Sequence, residues 1–173
     1  MDISISYNRY KFIGYEFLTW LWFIIEKEPE RLKSAEKNLN SLTIGNRIVI
    51  EKRRKNEIIE AITIKGDDAG LEEGLLSLKK GAVVTEMNLI QVIGDNIWSY
   101  TLKGESLNIS SLKTPAGGQV ESGDEIEGAV IEKIYLYEQV INFVHNLFKI
   151  YIKKRVSDSW PETVNHIKKW IYS

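Results

Sequence analysis

The sequence predicts an α+β fold, in which an antiparallel sheet of two hairpins is combined with an aromatic N-terminal helix and a long C-terminal helix. Three observations carry that expectation. The run from Phe12 to Ile25 is apolar nearly all round when wound at 3.6 residues per turn. Two pairs of β-rich stretches each close on a polar turn, as hairpins do. From about Asp124 to Val156, apolar residues recur at alternating spacings of four and three, the period of a helix that packs along another.

In "YEFLTWLWF", Tyr15 to Phe23, the helical period lines up Glu16, Thr19 and Phe23 on one side and Tyr15, Leu18 and Trp22 on another, with Phe17 and Leu21 between. Only a narrow strip is polar, so the helix is expected in the protein's own core; the other readings are a subunit interface, where Trp and Tyr are enriched, and base stacking in a basic groove. Pro29, just after Lys27 and Glu28, marks its end. The run is shorter than the ~20 residues of a membrane span, and Glu16 and Thr19 interrupt it. It also lacks a small-residue cleavage site, so neither a membrane helix nor a secretory signal is expected, and the expected location is cytoplasmic.

Residues 30 to 41 are charged without a sustained apolar face, which suggests a loop or a short solvated helix. Leu42 to Glu51 and Glu57 to Lys65 follow as the two strands of a hairpin, separated by the polar knot Lys52 to Asn56. Asp67 and Asp68 are suited to cap a short helix over "AGLEEGLLSLKK", which Gly81 would end and whose last-turn Lys79 and Lys80 complement the helix dipole. In the second hairpin, Val83, Thr85, Met87, Leu89 and Ile93 point one way and Glu86 and Asn88 the other, and a turn at Gly94 to Asn96 leads into Ile97 to Leu102. Four or five antiparallel strands with helices on one face would satisfy this order.

A Gly- and Pro-rich connector at 113–123 is the one obvious joint in what is expected to be a single domain over residues 1–173. Ser122 and Glu125 form a capping-box pattern that opens the long helix. Along that helix Val130, Ile134, Tyr137, Ile141, Val144, Phe148 and Tyr151 make a coiled-coil seam, and Leu136, Val140, Phe143, Leu147 and Ile150 make a second seam beside it. One seam can be covered by the chain's own sheet or by the aromatic helix. Two require a further helix layer, supplied by the "PETVNHIKKWI" segment or by a second copy in a homodimer.

Lys and Arg total 23 against 24 Asp and Glu, so no global field drives binding to a polyanion. There is no cysteine, and His145 and His166 have no carboxylate or second histidine at ligand spacing, so no metal or cofactor is expected. No nucleophile elbow, phosphate loop or paired-carboxylate motif is present, and an enzyme is not expected. The strongest local charge feature is "KRRK", Lys52, Arg53, Arg54 and Lys55, which reads either as a solvated turn or as cations spaced to meet phosphates of a duplex backbone. Lys153, Lys154 and Arg155 form a second cluster where the helix dipole favours positive charge. Convergence of Lys52 to Lys55, Lys79, Lys80 and Lys153 to Arg155 on one concave face would favour DNA binding, and scatter over unrelated faces would favour a module without it.

Several stretches resemble the recombination-associated RdgC-like family. "FIGYEFLTWLWF" is similar to the opening of its small bacterial members, and "LEEGLLSLKKGAVVTEMNLI" to a helix and strand in the C-terminal half of the longer ones. "SLKTP", "YLYEQVINFVHNLF" and "RVSDSW" extend the resemblance over most of the chain. It implies a cytoplasmic, non-enzymatic, homodimeric protein that binds double-stranded DNA with little sequence preference in recombination, with contact to a recombinase as a further possible partnership. The alternative left by composition is a structural or protein-interaction module without affinity for nucleic acid.

Overall fold

The structure is a computed structural model that describes residues 12–54, 57–65, 69–115 and 125–173. Its elements are α1 (Phe12–Lys27), a 3-10 helix (Pro29–Ser34), β1 (Leu39–Arg54), β2 (Glu57–Ile64), α2 (Ala69–Lys79), β3 (Val83–Ile93), β4 (Asn96–Lys103), β5 (Ile109–Lys113), α3 (Glu125–Arg155) and α4 (Trp160–Tyr172). The α+β class and the order of helices and hairpins are those the sequence predicts. The capping residues Asp67, Asp68 and Ser122, and most of the 113–123 connector, lie outside the described residues.

All five strands join one antiparallel sheet in the order β2-β1-β3-β4-β5. The β3 pattern follows from period-two alternation, with Met87, Leu89 and Gln91 fully buried and Asn88, Ile90 and Val92 half-buried on the opposite face. One detail differs from expectation. A register shift sets Ile50 opposite Val84 and Val49 opposite Glu86, so Val84, rather than Val83, is the residue sealed in the core. The Gly94 turn takes φ +59° and Gly81, after α2, takes φ +83°, conformations that glycine adopts without steric cost.

The aromatic helix faces the protein's own interior. Phe17, Leu18, Leu21, Trp22 and Ile24 have no exposed surface. On one side α1 packs over β3, and on the other it meets α3 and α4. Phe17 lies edge-on to Phe148 at 5.3 Å and beside Tyr151 at 5.4 Å, while Trp22 and Phe23 meet Trp170 of α4 at 5.4 and 5.7 Å. Ring pairs at such distances add to the burial term. One continuous cluster of buried side chains runs from the sheet through α1 to α3 and α4.

Close approach at two glycines sets the position of α1. A β-carbon on Gly14 would lie 1.7 Å from the carbonyl oxygen of Gly104, the residue after β4, and one on Gly74 of α2 would lie 2.6 Å from the Trp22 ring. Polar contacts also fix α3 in place. The Trp98 indole donates to the Leu136 carbonyl at 3.2 Å, the Asn146 amide donates to the Ala35 carbonyl at 3.2 Å, and Arg155 reaches Glu16.

Candidate interaction surfaces

The basic residues picked out by sequence do not share one environment. Lys52, Arg53 and Arg54 belong to β1 itself, because the strand runs on through what reads as a polar knot; Lys55 lies outside the described residues. Their backbone register places Lys52 opposite Glu60 and Arg54 opposite Glu57. Lys80, just beyond α2, comes to the same place: Lys52, Glu60, Ser77 and Lys80 line a small cleft with Ile50 and Ile62. The Lys79 ammonium instead lies 5.8 Å from the Tyr172 ring on α4.

At the end of α3 the three cations separate. Lys153 is exposed, Lys154 donates to the Ser159 hydroxyl at 2.8 Å, and Arg155 donates to Glu16 at 2.6 Å with its guanidinium 5.6 Å from the Phe12 ring. Tyr151 donates to the same Glu16 oxygen at 2.5 Å. Glu16 accordingly holds the Arg155 guanidinium more firmly protonated, and burial, followed by the hydrogen bond to Glu16, pushes the Tyr151 phenol well above its usual value. Arg155 thus fastens α1 to α3, a role no sequence spacing signals, since its partner is 139 residues away. Glu16, read as part of a thin polar strip, is the anchor of that contact.

The α3 seams divide along the helix as well as around it. Val140, Phe143 and Leu147 of the second seam are buried in the core, and so are Val144 and Tyr151 of the first, with Phe148 packed against them. The earlier first-seam residues are not covered: Val130, Ile134, Tyr137 and Ile141 are 52, 52, 37 and 55 % exposed. Ile131 and Tyr135 beside them are exposed too. The expected seven-residue interface is therefore two surfaces, with Val144, Phe148 and Tyr151 committed to the chain's own interior.

A third feature had no signal in the sequence. Between the 3-10 helix and the first half of β1 lies a groove of about 700 Å³. Ile44 pairs with Leu89 and Ile48 with Met87, so residues 45–47 bulge outward opposite Asn88 alone. The Asn88 side chain takes up the slack, accepting from the Asn46 amide at 3.2 Å and donating to the Tyr100 carbonyl at 3.1 Å, and Arg47 reaches Glu86 at 3.3 Å. Strand β2 pairs with β1 only from Ile48 onward.

His145 and His166 are exposed, and no group of three or more metal-ligating side chains occurs among the described residues. No helix among the described residues is long and apolar enough to cross a membrane. No protein-family model, no curated protein and no solved structure matches the chain.

Proposed function

We propose that the chain is a non-catalytic interaction module that assembles as a homodimer through the N-terminal half of α3. The observation that carries this reading is the exposed stripe of Val130, Ile134, Tyr137 and Ile141, four large side chains at four-three-four spacing on one helix face. Packing against an identical helix removes such a stripe from water, and the spacing suits knobs-into-holes contact with a second copy. The residues that continue the seam are already buried, so a second copy would extend the protein's own core. Sedimentation equilibrium tests the reading: a dimer is expected, and Ile134→Glu with Ile141→Glu should return it to monomer. A wild-type monomer at tens of micromolar, independent of concentration, overturns it.

A second reading, sequence-tolerant binding of duplex DNA in recombination, rests on the approach of Lys80 to Lys52 along the strand that carries Arg53 and Arg54, together with the RdgC-like resemblance. If these four cations each neutralise a phosphate, log affinity should fall with log salt at a slope near −3.6, roughly a hundredfold between about 50 and 200 mM. Arg53→Ala with Arg54→Ala should flatten that slope by about 2 and weaken all sequences alike, since phosphate contacts carry no base information. Fluorescence-anisotropy titration of a duplex at several salt concentrations measures both. Absence of binding at ~50 mM salt removes this reading.

A further inference from the structure

We propose that residues 39–46 of β1 form a docking edge that accepts an extended peptide as an additional strand of the sheet, a binding site separate from the α3 stripe. On one side Leu39 and Ser41 to Ile44 pair with β3; on the other, β2 begins only opposite Ile48, so no strand among the described residues covers this edge. An unpaired strand edge presents a row of backbone donors and acceptors whose natural complement is another extended chain. Proteins ordinarily guard such edges with charge or proline, yet "LNSLTIGN", Leu39 to Asn46, has neither, in a chain of which 27 % of residues are charged.

The edge also has a wall. The 3-10 helix stands across from it, and the groove of about 700 Å³ between them is lined by Ile25, Leu32 and Ile44, with Glu26, Glu30 and Lys33 also contributing. That volume is in the range of ligand-binding clefts. The start of β2 opposite Ile48 stops the edge at one end, which leaves room for about eight residues at ~3.4 Å each, the last two of them within the bulge. Alternate side chains of the peptide would face Ile25 and Ile44, and a flanking lysine or arginine would complement Glu26, since Glu30 is already paired with Lys33 at 2.9 Å. A lone peptide fits better than a second copy, because the equivalent edge of another protomer would bring its own 3-10 helix and β2 against the same wall.

The test uses the whole chain and a peptide of alternating valine and threonine with a lysine at each end, beside the same peptide N-methylated on alternate residues. Saturable binding below about 1 mM is expected, with slowed amide exchange at residues 40–46 and at least tenfold weaker binding of the N-methylated peptide. Ile44→Lys, its fold checked by circular dichroism, should lose the unmodified peptide. Equal binding of the two peptides, protection that maps elsewhere, or no binding would each overturn the proposal. Protection of 40–46 that rises with protein concentration and without peptide would also overturn it, by assigning the edge to a second copy.

Discussion

A single β-carbon separates α1 as it stands from one that cannot approach the sheet. On Gly14 that atom would meet a backbone oxygen, and backbone cannot swing aside, so Gly14→Ala should cost about 3 kcal/mol or more. Gly74→Ala presses instead on the Trp22 ring and the tip of Ile64, side chains with some freedom to shift, and about 1–3 kcal/mol is expected. Urea unfolding of the two variants measures the difference, and equal costs would refute the distinction between backbone and side-chain neighbours. Glu16→Gln removes the charge that Arg155 meets; both side chains are about a third exposed, which screens the pair, so the expected loss is only about 1 kcal/mol. The same variant should bring the Tyr151 phenol down, though not to its ordinary value, since burial holds it up first and Glu16 only second.

Within one helix, α3 combines two kinds of surface. Leu147→Ala should cost about 2–4 kcal/mol because the deleted atoms leave a cavity in a closed core, whereas Ile134→Ala should change monomer stability by no more than about 0.5 kcal/mol. Denaturant unfolding at concentrations low enough to dissociate a dimer separates the two cases. Periodicity made the helix and its seams legible, since three heptads of apolar residues leave few alternatives. It could not say where along the helix the cover stops, because that depends on how far α1 and β4 reach beneath it. Strand β5 escaped reading for a different reason: "ISSLK" is short and serine-rich, and Ser111 takes φ +52° within it, so only its neighbour β4 makes it a strand. The onset of β1 at Leu39 was obscured by Asn38 and Asn40, polar residues tolerated where the strand lies at an edge.

Across the whole molecule, what was legible is what short-range pattern encodes: the class, the two hairpins and the helix that had to be buried. What was not legible depends on strand order. Two hairpins can join in several ways, and the observed pairing of β1 with β3 leaves the first half of β1 without a second strand neighbour among the described residues and brings Lys80 beside Lys52. The nine basic positions could be found in the sequence, but the nearness of Glu16 to Arg155 could not, because charge seen along a chain carries no account of what folds against it.

Because α1 is enclosed between the sheet and two helices that begin about a hundred residues or more after it ends, its place in time is as constrained as its place in space. On a ribosome the sixteen residues of α1 emerge long before α3 and α4 exist to cover them, so the growing chain carries Phe17, Trp20 and Phe23 uncovered on one side until synthesis is nearly complete. Such a chain should be prone to aggregate before it is complete, and it should refold slowly from denaturant, since contacts spanning 135 residues or more must close before the last layer seals. A chain ended at residue 124 should collect in the insoluble fraction on expression, and supplying residues 125–173 as a separate polypeptide should restore part of it to solution.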